Sequence, residues 1–270
     1  MAREKPPARN PREDKSLSYG RQSSEELVHE RPAWIIPAAV AAGVLILSGF
    51  FLYYYFGPTT KELLGLDPRA SIDDTPVEAI IADRRFLIPE NYTRYPKQRD
   101  GGRQRELDMH ALWPQMAPYS AQHEQDFADN GSSSNVIFFS LRETSTPLSS
   151  DKRLKNIYSK YLATPEPEKD PTGLKRFTFR ENSGYGDQFL LVGHDADKRL
   201  LLLTCDRDTP LVESPNCSRT LLIAPNLELT YRYKRTHLKD WETIDEKIRA
   251  LVASFDTTQK VEGLQGSFTE

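Results

Sequence analysis

One apolar block constrains this chain more than any other feature of its sequence. Residues 33–56 form an uninterrupted run of 24 residues without a charged side chain. At about 1.5 Å of rise per residue, a helix of that length crosses the roughly 30 Å hydrocarbon core of a bilayer. Trp34 lies at one end and Tyr53, Tyr54 and Tyr55 at the other, where aromatic rings favour the two membrane interfaces. The block therefore predicts a single transmembrane helix over residues 33–56.

A cleaved signal peptide and a buried helix are the alternatives to an uncleaved anchor. A signal peptide has a shorter apolar core, roughly 7–15 residues, with a small-residue cleavage site after it. Here aromatic residues follow the apolar core instead. A core helix of a soluble domain carries polar residues on one face, and this block has almost none. Both comparisons favour the uncleaved anchor.

The segments around the block predict how the chain is organised. Residues 1–32 are rich in Pro, Arg, Glu and Ser and are expected to form a disordered cytoplasmic tail. Residues 57–76 are predicted to be a linker, 77–256 one periplasmic α+β domain, and 257–270 a flexible polar tail. Lys and Arg within about 20 residues of the block slightly favour a cytoplasmic N-terminus. We therefore expect a bacterial inner-membrane protein with its domain in the periplasm.

The two cysteines, Cys205 and Cys217, point to the same orientation. They flank a polar segment of 11 residues between two apolar, strand-like runs. Two adjacent antiparallel strands would bring the cysteines within bridging reach. A disulfide here would contribute about 3 kcal/mol in the chain-entropy model and would indicate an oxidising compartment. The alternatives are two free buried thiols, or half of a metal site that lacks its other ligands.

Apolar periodicity predicts the fold of the domain. Alternating or short apolar runs separated by turn residues predict five to eight strands, and those between residues 174 and 234 form an antiparallel meander. A helix is expected after Ser149 or Ser150, and a C-terminal helix from about Leu238 to Phe255. The predicted fold class is α+β: a single N-terminal transmembrane helix, then an antiparallel-sheet domain with two or three helices, one of them C-terminal.

The most unusual soluble segment combines basic and aromatic residues, and we call it the basic loop. It is defined by Tyr92, Arg94, Tyr95, Lys97, Arg99, Arg103 and Arg105. Arginine forks bind carboxylates and phosphates in a bidentate manner, and tyrosine offers rigid contact area. The basic loop is therefore a candidate docking site for lipid head groups, an acidic partner or a wall polymer. The alternative is a solvated loop whose charges are balanced by acidic neighbours.

Small residues in the apolar block suggest a second contact surface. Ala39 and Gly43 are four residues apart, a spacing that lets two membrane-spanning helices approach closely. The spacing predicts a homo-oligomer formed through the transmembrane helix. The alternative is that alanine and glycine are simply common in such helices.

No motif in the sequence carries catalytic, cofactor or metal chemistry. The five histidines include no pair at HExxH-type spacing, and no serine lies in a Gly-x-Ser-x-Gly elbow. Residues 193–198 include two aspartates and a glycine, which are ordinary turn residues, whereas a calcium loop needs a longer ligand series ending in Glu. We predict no cofactor and no metal. A net charge of −3 argues against nucleic-acid binding.

These observations favour an accessory or scaffold subunit of an envelope or membrane complex, with membrane proteins as partners. Two alternatives stay open. One is a periplasmic module that binds a ligand or polymer in an apolar pocket with a few polar groups. The other is a membrane-anchored hydrolase, whose acid, base and nucleophile would be assembled only by the fold.

Overall fold

The computed structural model describes residues 32–210 and 212–258. Nearly all of the predicted cytoplasmic tail, residues 1–31, lies outside this described part, and so do residues 259–270 of the predicted C-terminal tail. The chain divides into two units after Gly57.

The first unit contains helix α1 (Ile35–Phe56), which has 22 residues. It is the one described helix that is long and apolar enough to cross a membrane, and none of its residues is buried. It begins two residues after the predicted start, because residues 33–34 form a turn. At its other end the Gly57 N–H donates to the Tyr53 carbonyl over 2.9 Å, and Pro58 prevents further helix. The length and apolarity of α1 are those of a membrane anchor.

The second unit contains two β-sheets and four short or medium helices. The strands are β1 (Pro76–Ile81), β2 (Arg84–Pro89), β3 (Gly102–Arg103), β4 (Glu106–Leu112), β5 (Val136–Glu143), β6 (Glu168–Lys169), β7 (Lys175–Thr178), β8 (Gln188–His194), β9 (Leu200–Asp206), β10 (Asn216–Ala224) and β11 (Leu227–Lys234). The helices are α2 (Thr60–Leu63), α3 (Glu124–Ala128), α4 (Ser150–Asn156) and α5 (Trp241–Phe255). Helix α2 lies within the predicted linker.

The strand order confirms the predicted antiparallel fold. The small sheet has the order β2-β1-β3, and the large sheet has the order β4-β5-β11-β10-β9-β8-β7-β6. Consecutive strands from β7 to β11 pair antiparallel with one another, as expected of a meander with short connections. Strand β5 then pairs with β11, and β4 forms the edge beside β5. Mixed α+β is therefore the observed fold class, with one helix at the C-terminal end of the domain.

Different elements pack on the two faces of the large sheet. Helix α5 packs its apolar residues on one face, together with β1 and β2. Those α5 residues are Ile244, Ile248, Val252 and Phe255. On the other face, residues of α4 and the segment after it pack around Phe179 and Leu190, over strands β7 to β9. The second face is open over the half that is formed by strands β4, β5, β11 and β10. There Ser140, Ser218 and Thr230 line a surface depression.

Strands β9 and β10 are joined over a short ladder. Only two residue pairs are in register between them, Cys217 with Cys205 and Ser218 with Thr204. The two cysteine sulfur atoms are 2.03 Å apart, at disulfide distance. The Thr204 and Ser218 hydroxyl oxygens lie 3.0 Å apart. The cysteine pair therefore lies in one of the two shortest ladders of the large sheet, the other being that of β6 with β7.

A buried ion cluster attaches α5 to the sheet. The Arg219 guanidinium is buried and donates to Asp195 over 3.0 Å and to Asp245. The Tyr231 hydroxyl and the Arg249 Nε also donate to Asp245, over 2.8 and 2.9 Å. Because removing one partner would leave a buried charge unpaired, the cluster is costly to break.

Asp195 also organises the turn over residues 195–199, which joins β8 to β9. Its Oδ1 accepts from the Asp197 and Arg199 backbone N–H groups, over 3.1 and 3.0 Å. Burial raises the pKa of Asp195, but hydrogen bonds from Arg219 and from the Arg199 backbone outweigh it and hold the pKa below its usual range. The segment is a turn between β8 and β9, and its first aspartate points into the protein.

Candidate functional site: the open sheet face

Six residues on the uncovered half of the large sheet and one from the basic loop form the candidate site, which we call the open sheet face. They line a depression of about 400 Å³ and are Asp108, Phe138, Ser140, Ser218, Thr230 and Arg232 of the sheet and Arg94 of the loop. Two neighbouring depressions share lining residues with it. One has about 530 Å³ and shares Asp108, and the other has about 330 Å³ and shares Arg94 and Phe138.

Strand alternation explains why these residues face outward. In β5, Phe138 and Ser140 alternate with Phe139 and Leu141, which are buried in the core under α5. Cross-strand pairing then places Phe138 opposite Arg232 and Ser140 opposite Thr230. The result is a row of hydroxyl-bearing side chains beside an aromatic and arginine row.

Two arginines flank one phenylalanine at the centre of the open sheet face. The guanidinium carbon of Arg94 lies 4.6 Å from the centre of the Phe138 ring, and that of Arg232 lies 4.9 Å from it. Cations within about 6 Å of a ring centre are attracted by its negative face. Among the described residues, neither guanidinium has a carboxylate oxygen within 4.0 Å. Arg142 of the same sheet face, by contrast, is paired with Glu106 at 2.6 Å.

Asp108 is the carboxylate of the open sheet face, and it is already hydrogen-bonded. Its Oδ2 accepts from the Gln98 Nε2 over 3.1 Å. Burial raises the pKa of Asp108, against the opposite effects of this hydrogen bond and of Arg94. The two central guanidinium groups therefore lie at this depression without a direct ion pair among the described residues.

Only some of the residues that define the basic loop lie at or beside the open sheet face. Arg94 lies in the open sheet face, and Tyr95 lies beside it, with the Arg94 guanidinium 5.4 Å from its ring centre. Lys97, Arg103 and Arg105 line the neighbouring 530 Å³ depression together with Tyr95.

Those three outer cations differ in their partners. Lys97 pairs with Asp100 at 2.7 Å, and Arg103 pairs with Asp83 at 3.0 Å. Arg105 is exposed, and within the described residues no carboxylate lies within salt-bridge distance of it. Part of the positive charge that the sequence places in the basic loop is therefore neutralised locally.

Two residues of the basic loop serve the fold. The Tyr92 hydroxyl donates to the Met116 carbonyl over 3.0 Å, and its ring lies 5.2 Å from that of Phe255, so burial raises its pKa. The Arg99 guanidinium donates to the Thr93 hydroxyl and carbonyl over 2.8 and 3.0 Å, and burial lowers its pKa. These side chains hold the loop in place instead of facing a partner.

The basic loop also covers the outer edge of β4. The Arg94 N–H donates to the Asp108 carbonyl over 3.0 Å. The Gln98 carboxamide accepts from the Asp108 N–H over 2.9 Å and donates to the Glu106 carbonyl over 3.3 Å, so it acts as a partner strand would. Exposed strand edges are sites of unwanted pairing, and this loop protects one. The charge pattern of the loop gave no indication of this role.

His110 lies at the end of the site nearest α3. It lines the 330 Å³ depression, and its ring centre is 4.6 Å from that of Phe127. Its Nε2 is buried without a hydrogen-bond partner among the described residues. Burial, assisted by Arg94 and Arg99, lowers the pKa of His110 to about 4. The imidazole is therefore neutral near pH 7.

The described residues offer recognition groups at this site. The open sheet face presents two guanidinium groups, three hydroxyls and an aromatic ring. Within residues 32–210 and 212–258, no three His, Cys, Asp or Glu side chains are grouped to hold a metal ion. In the first unit, Ala39 and Gly43 lie one turn apart on α1, and a Cβ at Gly43 would meet nothing within 4 Å.

The sequence did not identify Phe138, Arg232 or the hydroxyl row as a site. Each belongs to an ordinary strand pattern, and only the pairing of β5 with β11 brings them together beside Arg94. The one available signal was an outward arginine in β11, flanked by Tyr231 and Tyr233.

No protein-family model matches the chain, and no curated protein matches it. A search of solved structures finds Smlt3025, an immunity protein of the Stenotrophomonas maltophilia type IV secretion system, with a TM-score of 0.50 at 17% identity over 68% of this chain and 94% of that chain. It also finds the iron-regulated outer membrane lipoprotein FrpD of Neisseria meningitidis, with a TM-score of 0.44 at 15% identity over 70% of this chain and 96% of that chain. At 17% identity, the likeness to Smlt3025 shows a shared fold.

Proposed function

We propose that this chain is a single-pass accessory or scaffold protein of the bacterial inner membrane whose periplasmic domain binds a protein partner through the open sheet face. The observation that carries the proposal is the pair of arginines, Arg94 and Arg232, around the partly exposed ring of Phe138. Protein interfaces are enriched in arginine and aromatic residues, and these residues dominate binding when they cluster centrally. The hydroxyl row beside them supplies further hydrogen-bonding capacity.

The membrane part of the proposal is supported by α1 and by the cysteine pair. Helix α1 has the length and composition of a membrane span. Cys205 and Cys217 lie at disulfide distance, and disulfides persist in oxidising compartments such as the periplasm. Labelling with a membrane-impermeant thiol reagent tests the orientation, after introduction of a cysteine at exposed Glu246. Labelling in spheroplasts supports a periplasmic domain, and labelling only after lysis contradicts it.

The comparisons are compatible with an accessory role. The fold occurs in a protein described as an immunity protein of a secretion system. The alternative of a ligand-binding module calls for a concave, mostly apolar pocket. The 400 Å³ depression on the open sheet face is lined by three charged side chains, Arg94, Asp108 and Arg232.

Site-specific photocrosslinking in native membranes tests the proposed function. A photoreactive amino acid placed at Ser140 lies in the floor of the open sheet face, and one placed at Glu246 lies on the outer surface of α5. We expect Ser140 to give a discrete adduct with one protein and Glu246 to give none. Equal labelling from both positions, or no adduct from Ser140 and Thr230, would overturn the proposal.

Pairing of two copies through α1 is a separate part of the proposal. Ala39 and Gly43 offer the small surface that close helix contact needs. A Gly43→Leu variant should lose crosslinked dimer in membranes, and Gly49→Leu, on the same helix, is the matched control. Dimer yield that is unchanged by Gly43→Leu would exclude this contact.

A further inference from the structure

We infer that the occupant of the open sheet face is an extended, acidic polypeptide segment. This rests on the proposed function, because it names the chemistry of the protein partner. The first argument is charge. Arg94 and Arg232 have no carboxylate oxygen within 4.0 Å among the described residues, whereas the neighbouring cations Arg142 and Arg153 are paired with Glu106 and Glu228.

The carboxylates near the site offset only part of the charge of the two central arginines. Asp108 attracts Arg94 electrostatically, but it accepts its hydrogen bond from Gln98 at 3.1 Å and has no oxygen within 4.0 Å of either guanidinium. Glu124 lines the adjoining depression, as does the cation Arg69. The open sheet face itself therefore carries two arginines against one aspartate that is already hydrogen-bonded. A partner with carboxylates complements this balance.

The second argument is spacing. Both guanidinium carbons lie within 5 Å of one ring centre, so they are less than about 10 Å apart. Side chains at positions i and i+2 of an extended segment lie on the same face about 7 Å apart. Two acidic residues at that spacing reach both arginines from one strand-like segment. Each guanidinium can then bind its carboxylate in a bidentate manner.

The third argument is the floor of the site. Ser140, Ser218 and Thr230 are small, so they leave room for a backbone to lie close to the sheet. Ser218 and Thr230 already pair with other hydroxyls at 3.0 Å, but each hydroxyl has one donor and two acceptor positions. Hydroxyl donors and acceptors along this floor, from the Ser140–Thr230 pair and from Ser218 beside Arg232, suit peptide N–H and C=O groups, which need both.

Peptide binding to the full-length protein in mild non-ionic detergent tests this inference. The probe is the labelled peptide Ser-Glu-Ser-Glu-Ser-Glu-Ser, and its neutral counterpart has Gln at each Glu position. We expect the Glu peptide to bind at least about tenfold more tightly than the Gln peptide, since each charge-assisted contact is worth about that factor. Binding should weaken as salt rises from about 50 to about 500 mM, because exposed charges are screened.

Matched variants locate the binding. Arg94→Gln combined with Arg232→Gln removes two positive charges from the open sheet face and should weaken binding by about tenfold or more. Lys169→Gln combined with Lys239→Gln removes two exposed charges elsewhere and should change the affinity by less than about twofold. Equal loss in both double variants would show non-specific attraction and overturn the inference, as would no loss in either. Unfolding midpoints of all variants exclude a folding defect.

Two further outcomes separate this inference from the proposed function. If a short-chain anionic phospholipid displaces the probe and the Gln peptide binds as well as the Glu peptide, the face recognises a head group and the inference is wrong. If Ser140 crosslinks to a protein in native membranes but the Glu peptide does not bind, only the acidic chemistry is wrong. If neither Ser140 nor Thr230 gives an adduct, the proposed function fails regardless of the peptide result.

Discussion

His110 makes the stability of the domain depend on pH. Burial and the nearby charges of Arg94 and Arg99 lower its pKa to about 4, although a hydrogen bond to the Asn91 backbone acts in the opposite direction. An unfolded histidine has a pKa of about 6.5. The unfolded chain therefore binds a proton more readily than the folded one between these two values. The stabilisation is fully present above about pH 6.5 and is lost as the pH falls toward 4.

The size of the effect follows from the difference between the two pKa values. Each pKa unit corresponds to about 1.4 kcal/mol, so the whole contribution of His110 is about 3 kcal/mol. Between about pH 7.5 and pH 5 the free energy of unfolding should fall by about 2 kcal/mol from this residue alone. That is a large share of the stability of a typical domain.

The variant His110→Phe removes the titrating group and keeps a ring of similar shape beside Phe127. Because Nε2 has no partner among the described residues, the variant should lose only about 1 kcal/mol at pH 7.5. Its free energy of unfolding should then fall less steeply with decreasing pH than that of the unmodified protein. The two curves should converge or cross between about pH 6 and pH 4.

Urea unfolding of the full-length protein in non-ionic detergent measures these curves, with the fluorescence of Trp113 and Trp241 as the signal. Gln122→Ala, at an exposed position that carries no titrating group, is the control, and its difference from the unmodified protein should not depend on pH. A parallel decline of the His110→Phe and unmodified curves would refute the reasoning. It would mean that the buried imidazole is protonated as readily in the folded state as in the unfolded state.

Three further predictions concern the contacts that hold the domain together. Asp245→Ala leaves buried Arg219 with one carboxylate fewer and should lower the free energy of unfolding by about 3–5 kcal/mol in urea titration. Gln98→Ala removes the side chain that pairs with the edge of β4, and should cost about 1 kcal/mol and speed hydrogen exchange at the Asp108 amide. Replacing Cys205 and Cys217 together by serine should cost about 3 kcal/mol, because the unfolded chain loses a loop closure.

Each of these predictions has a control and a contradicting result. Glu246→Ala, on the exposed side of α5, should leave the free energy of unfolding unchanged. If it lowers stability as much as Asp245→Ala does, the loss in Asp245→Ala does not come from the ion cluster. Gln122→Ala, in an exposed segment, should not alter exchange in β4. Unchanged stability of the double serine variant, when the unmodified protein resists thiol alkylation, would show that the bridge contributes little.

The sequence was most informative where periodicity and turn residues agreed. Alternation predicts strands over Glu106–Leu112 and Leu227–Lys234, and these bounds match β4 and β11, because each strand alternates apolar and polar residues and is bounded by loop residues. The C-terminal helix was predicted from about Leu238, but it begins at Trp241, because residues 235–240 form a 3₁₀ helix. A 3₁₀ turn and an α-helical turn differ too little in period to be told apart over six residues.

The candidate site was only partly accessible from the sequence, because non-local pairing creates it. Arg94 was singled out by the local density of charge, but Arg232 and Phe138 gave no local signal. Composition also could not distinguish solvent-facing cations from Arg99, whose guanidinium donates a hydrogen bond to the Thr93 backbone carbonyl. Asp195 looked like a turn residue and is one, yet its carboxylate also neutralises a buried arginine.

The short ladder between β9 and β10 divides the large sheet into two halves of four strands each. The cysteine pair links the two halves covalently. One half carries Phe138 with Arg94 and Arg232 around it, and the other carries the apolar residues that pack against α4. Ser218 belongs both to this ladder and to the open sheet face, so a change in the angle between the two halves would alter the surface offered there. Under the proposed function, reduction of the cysteine pair would leave the two halves joined by the ladder alone, and we expect partner binding to weaken without any change in the residues of the open sheet face.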